Sequence, residues 1–114
     1  MIVSKADTAQ PFENSPVCKG ISYGGTGDDI DGALINVNGR YPDSGFLVNE
    51  VSKELVYITA GTGRLLSRED KKSFGAGDVI FIDNREEFAW EGAFEGFFAT
   101  TPRFDPAQHK EVAE

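Results

Sequence analysis

Glu54-Leu-Val-Tyr-Ile-Thr-Ala-Gly61 and Gly77-Asp-Val-Ile-Phe-Ile-Asp83, followed by Phe88-Ala-Trp90, decide the fold of this chain. Val56, Tyr57, Ile58 and Thr59 are all good strand formers. Val79 to Ile82 is a short apolar run bounded by turn residues, as a buried strand requires. Side chains alternate across a strand, so Glu54, Val56 and Ile58 share one face, and so do Phe88 and Trp90. A carboxylate on an otherwise apolar face is the feature from which a functional reading has to start.

Further strands are expected on either side. Val17–Tyr23, Ala33–Asn38, Phe46–Val51, Ser73–Phe74 and Phe94–Thr101 have strand composition. Gly39–Gly45, Ala60–Gly63, Gly75–Asp78 and Asp83–Glu86 read as turns, with Ser52–Lys53 as a short corner. Arg68–Lys72 reads as a solvated hairpin tip. Tyr23-Gly-Gly-Thr-Gly-Asp-Asp29 carries three glycines, but no Lys-Ser or Lys-Thr and no helical pattern follow, so a turn is expected rather than a phosphate loop. Residues 1 to about 20 are polar, hold Pro11 and Pro16, and are expected to form an irregular arm. At the other end, Asp105 can cap, Pro106 suits a first helical position, and Ala107–Ala113 is expected to form a short helix. Strands at short spacing with glycine turns predict an all-β sandwich or barrel.

The chain has 114 residues, of which thirteen are Gly and nine are Phe, enough for one core with many tight turns. The expected organisation is an arm with the first strands over 1–32, a barrel over 33–104 and a helical tail over 105–114. Net charge is −8, the opposite of what a phosphate-backbone binder needs. No nucleic-acid or anionic-membrane partner is therefore expected. No stretch approaches the ~20 apolar residues that span a bilayer. The start, Met1-Ile-Val-Ser-Lys-Ala-Asp7, lacks a basic region followed by an apolar run, and the lone Cys18 cannot form an internal disulfide, so a cytoplasmic location is expected.

With these residues in place, the chain resembles a small single-domain cupin of the RmlC-like type. In that family a first motif ends in Glu, six residues, then Gly, which Glu54 and Gly61 match. The second motif opens with Gly-Asp, an apolar strand, a Pro-x-Gly turn, then His and an aromatic residue. Gly77, Asp78, Val79–Ile82 and Trp90 match it, and fifteen residues separate Gly61 from Gly77. The tail Thr101-Pro-Arg-Phe-Asp-Pro106 also looks like the end of many small cupins. The resemblance covers roughly residues 33 to 106 and implies a double-stranded β-helix, or jelly-roll barrel.

The metal-binding motifs are degenerate. The family places His-x-His before the Glu. Here those positions hold Leu47 and Asn49 in one register, or Val48 and Glu50 in the other. The second-motif His aligns with Phe88, and the Pro-x-Gly turn reads Asp83-Asn-Arg85. The only histidine is His109, in the tail, so a site with two histidines cannot form within one chain. The cofactor expectation is none. If an ion binds, Glu54, Asn49 and Glu50 would offer oxygen ligands to a weakly held divalent metal such as Mg²⁺, Ca²⁺ or Mn²⁺.

The resemblance puts the candidate site in the barrel. Glu54 is a substrate-binding or proton-transfer carboxyl, or else a structural one bonded to Asn49, Arg40 or Tyr41. Asn49 either orients Glu54 or binds a polar ligand atom. Phe88 and Trp90 line the pocket or simply fill the core, and the indole N–H suits Trp90 to a ligand contact. Arg40 and Tyr41 are expected near the mouth, Arg40 holding a ligand anion or a surface ion pair. His109 is a solvated helix residue unless the tail folds over the mouth. Cys18 packs in the interior, although Lys19 beside it favours thiolate. The resulting expectation is a small polar–apolar metabolite, a sugar derivative or organic acid, bound in the barrel. The alternative is a metal-free or weakly metal-dependent isomerase or epimerase with Glu54 as base and Tyr41, Tyr57 or His109 as acid. The resemblance also implies a homodimer, through edge strands and the arm.

Overall fold

The computed structural model describes residues 1–114 and contains nine strands: β1 (Gln10–Ser15), β2 (Cys18–Tyr23), β3 (Asp31–Tyr41), β4 (Phe46–Asn49), β5 (Lys53–Leu66), β6 (Lys71–Gly75), β7 (Val79–Ile82), β8 (Glu87–Thr101) and β9 (His109–Val112). Every pairing is antiparallel. Strand β8 organises the sheet. It pairs with β3 from Asp31↔Thr100 to Tyr41↔Trp90, and with β5 from Lys53↔Thr101 to Leu66↔Ala89. The sheet curls around these long strands, and β1 and β2 extend it beyond β3.

Alternation along β5 is as expected. Glu54, Val56 and Ile58 point inward and are buried, while Leu55 and Tyr57 lie exposed on the outer face. The core collects Val37, Leu47, Val56, Ile58, Ile82 and an aromatic group centred on Trp90. Trp90 meets Phe74, Phe88, Phe94 and Phe98 at centroid distances of 5.8, 6.1, 5.4 and 5.4 Å. Edge-on and tilted pairs of this kind add roughly 0.5–1.5 kcal/mol each beyond area burial.

Three expectations are corrected. Ala60–Gly63 is not a turn, because β5 continues through it with a bulge between Ile58 and Ala60. Its glycines permit close approach of two backbones. A Cβ on Gly92 would sit 2.5 Å from the Gly63 Cα across the β5–β8 pair. Gly61 has φ +83°, and a side chain there would strike the Ala93 carbonyl. The N-terminal arm is not wholly irregular, since β1 forms a hairpin with β2.

The C-terminal helix is absent. Asp105 does cap, its carboxylate accepting from the Ala107 N–H at 3.0 Å, but only the single 3₁₀ turn Pro106–Gln108 follows. His109–Val112 then pairs with β4, from Asn49↔His109 to Phe46↔Val112. The open edge of β4 offers ladder hydrogen bonds that a two-turn helix of low intrinsic stability cannot match. No helix is long and apolar enough to cross a membrane.

Candidate functional site

A cavity of about 440 Å³ opens inside the curled sheet. Leu47, Phe88, Trp90 and Phe98 form apolar walls, and Tyr41, Cys18 and Glu54 also line it. Residues of β1, the Tyr23–Thr26 loop and the segment Arg103–His109 line it as well. The tail therefore forms part of the cavity lining. Asp31 helps hold it there, accepting from the Phe104 N–H at 2.9 Å.

Glu54 is only 8 % exposed. Its Oε1 accepts from the Asn49 carboxamide at 3.0 Å. Its Oε2 is buried with no partner among the protein's groups. Burial pushes the Glu54 carboxyl up to about 7, against the opposing pull of the Asn49 hydrogen bond and with a small further rise from Asp31.

Asn49 is the hub of this corner. Its side chain is buried, and its Oδ1 lies 2.7 Å from His109 Nδ1 and 3.4 Å from Gln108 Nε2. Gln108 is anchored in turn, its Oε1 accepting from the Val51 and Ser52 N–H groups at 2.9 and 3.1 Å. The Asn49 carbonyl accepts from the Arg85 N–H at 2.7 Å. Arg85 has φ +69°, a left-handed conformation at the position where the resemblance has glycine.

His109 lines the cavity, half-buried, with its ring against Phe104 at 5.4 Å. Burial lowers its pKa, partly countered by Glu111. Burial likewise pushes the Tyr41 hydroxyl up to about 12 and the Cys18 thiol up to about 11. Both therefore stay neutral near pH 7, and the Cys18 thiol is further engaged by Asn14 at 3.8 Å.

The candidate residues separate. Glu54, Tyr41, Phe88 and Trp90 line the cavity. Asn49 stands behind Glu54 and positions it. Glu50 points away, is exposed, and lies 3.6 Å from Lys110, so it contributes nothing to an ion site with Glu54. The strand register thus places Leu47 and Asn49 inward. Arg40 does not line the cavity. Its guanidinium donates to the Pro42 and Gly45 carbonyls at 2.7 and 3.0 Å and clasps the turn between β3 and β4. Tyr57 is exposed on the outer face and cannot act in the cavity.

Sequence reasoning gave little weight to His109 and none to Gln108, because both were placed in a helix. Their position follows from strand pairing between β4 and β9, for which the sequence carries only the weak signal His109-Lys-Glu-Val112.

Solved structures share this fold at low sequence identity. Pac13, described as a nucleoside dehydratase, superposes with a TM-score of 0.86 at 17% identity, over 99% of this chain and 92% of that one. The chain has the fold of a small cupin. A variant of the Streptomyces PAC13 protein with uridine gives 0.87 at 17% identity, over 99% and 91% of the two chains. An RmlC-like cupin from Shewanella frigidimarina gives 0.73 at 12% identity, over 91% and 93%. No family model matches the chain, and no curated protein does.

Cupin neighbours raise the question of a metal. Where the resemblance calls for three histidines, the chain has Leu47 and Phe88 in the cavity lining, directly paired across β4 and β8, and Asn49 behind Glu54. No group of three or more His, Cys, Asp or Glu side chains is arranged to hold an ion. The donors at this corner do not fit a histidine-ligated metal.

Proposed function

We propose that the cavity binds a small, partly apolar metabolite, a sugar derivative or organic acid, and that Glu54 exchanges a proton with it, as in an isomerase, epimerase or dehydratase. The observation that carries this reading is the buried Glu54 Oε2 without a protein partner. Such a group costs roughly 1–3 kcal/mol unless a ligand satisfies it. A carboxyl raised to about 7 also holds both protonation states near neutrality, which suits proton transfer. The aromatic walls offer flat faces to a sugar or pyrimidine ring. A dehydratase of nucleosides among the similar folds, and uridine with its variant, support a sugar-bearing ligand. The reading uses no metal.

Trp90 is the only tryptophan and lines the cavity, so its fluorescence reports binding directly. Titration with uridine and a panel of sugar derivatives is expected to quench it. For a ligand that binds, substrate C–H exchange in D₂O is expected in the wild type and absent in Glu54→Gln. Binding without exchange would leave a binding protein rather than an enzyme.

The same proposal takes the protein as a cytoplasmic homodimer without a nucleic-acid partner. Leu55, Tyr57, Val79, Phe81 and Phe97 are exposed on adjacent strands of one outer face, with Leu55 opposite Phe81 and Tyr57 opposite both Val79 and Phe97. Burying such a face against a second copy is favourable. Light scattering is expected to give twice the chain mass, and a monomeric mass would contradict the dimer.

A further inference from the structure

The amide at Gln108 has no freedom of orientation. Two backbone N–H groups, from Val51 and Ser52, converge on its Oε1, and only an acceptor can meet them. Its other end, Nε2, must therefore be the donor toward Asn49 at 3.4 Å. That makes the Asn49 atom an oxygen, so the opposite end of Asn49 is the NH₂ group that donates to Glu54 Oε1. The same Asn49 oxygen lies 2.7 Å from His109 Nδ1, which must then carry a proton. The polarity of four side chains follows from two backbone amides.

We propose that Gln108, acting through Asn49, fixes the direction of proton transfer in the cavity: Glu54 donates from Oε2 and His109 accepts at Nε2. This rests on the proton-transfer reading of the same cavity. Glu54 Oε1 already accepts from Asn49, so the proton of the neutral acid resides on Oε2. Neutral His109 with its proton on Nδ1 presents a free lone pair on Nε2. Neutral imidazole otherwise favours the proton on Nε2, so this tautomer is imposed by the protein.

For a hydroxy-carbonyl substrate the step balances. The Nε2 lone pair of His109 takes a proton from the carbon beside a carbonyl. The C–H electron pair becomes a C=C bond, and the carbonyl π pair moves to oxygen, which takes the proton from Glu54 Oε2. The products are an enol, an imidazolium and a carboxylate, with no external oxidant or reductant. Asn49 and Gln108 are positioning residues in this scheme, since neither needs to touch the substrate.

His109 is the only histidine, so its ring nitrogens can be read by ¹⁵N NMR without ambiguity. In the substrate-free protein above the His109 pKa, Nδ1 is expected in the protonated range and Nε2 in the unprotonated range. Gln108→Glu keeps the acceptor for Val51 and Ser52 but replaces the donor by a second acceptor. Asn49 must then reverse, and His109 is expected to move to the Nε2–H tautomer. A wild-type ring protonated on Nε2 overturns the proposal, as does a folded Gln108→Glu variant that keeps the Nδ1–H form. Should that variant not fold, the wild-type spectrum alone decides. Neither readout uses a substrate, so a failed tautomer assignment is distinct from a failure of C–H exchange.

Discussion

At one wall of the cavity Trp90 packs ring against ring with Phe88 and Phe98, and with Phe74 and Phe94 behind them. At another wall, Glu54 meets the protein through one hydrogen bond from Asn49 and leaves Oε2 unmatched. Both regions lie on inward positions of adjacent long strands, and both are buried. The first lowers the free energy of the fold. The second raises it, because a carboxyl is removed from water without full compensation. The proposed ligand-binding role of Glu54 accounts for a buried cost of this kind beside a cavity.

Damage to the aromatic wall should be the most severe change. Trp90→Ala removes the centre of the cluster and is expected to lower unfolding free energy by about 3–5 kcal/mol in urea titrations. A loss under about 1 kcal/mol would mean that this wall does not carry the fold.

The opposite sign is expected at the polar wall. The unfolded carboxyl titrates at 4.5 and the folded one at about 7, so the native state holds the proton more tightly. Stability contributed by Glu54 is therefore highest below pH 4.5 and falls as pH rises to about 7. Above pH 7 the accumulated cost is on the order of 3 kcal/mol. Glu54→Gln resembles the neutral acid in shape and keeps an acceptor for Asn49. It should match wild type near pH 4 and exceed its stability at pH 8. His109, with its lowered pKa, acts in the reverse sense as pH falls below 6.5, but equally in both proteins. The difference between the two curves thus isolates Glu54, and equal stability at pH 8 would mean that its carboxyl is not desolvated.

Smaller effects sharpen the contrast. Asn49→Leu strands the Gln108 donor and removes the Glu54 partner, and is expected to cost about 1–3 kcal/mol. Its ligand affinity should fall as well, measured by Trp90 quenching. Arg40→Ala loosens the clasp on the β3–β4 turn at a cost of about 1 kcal/mol. Quenching should be unchanged, because Arg40 does not line the cavity.

The same contrast explains what could be read from residues alone. Period-two alternation placed Glu54, Val56 and Ile58 inward and Leu55 and Tyr57 outward, because side-chain direction in a strand is a local property. The Gly-Asp turn at Gly77 was legible for a similar reason, since Asp78 closes it by accepting from the Gly75 N–H at 2.7 Å. The glycines at 60–63 misled, because a close crossing of two long strands and a tight turn demand the same residue. The tail misled because Asp105-Pro106 is a true local start signal, while pairing with β4 is a long-range event. The site divides along the same line. Glu54 was visible in its own strand. Its coupling to His109 and Gln108 depends on β9 docking beside Asn49, which no local pattern reports.

The most direct test of a ligand-directed, desolvated carboxyl is a ¹³C NMR titration of the glutamate carboxyl groups, with Glu54 assigned from the signal missing in Glu54→Gln. A midpoint near 7 is predicted for Glu54. A midpoint near 4.5 would show a solvated carboxylate and contradict the account.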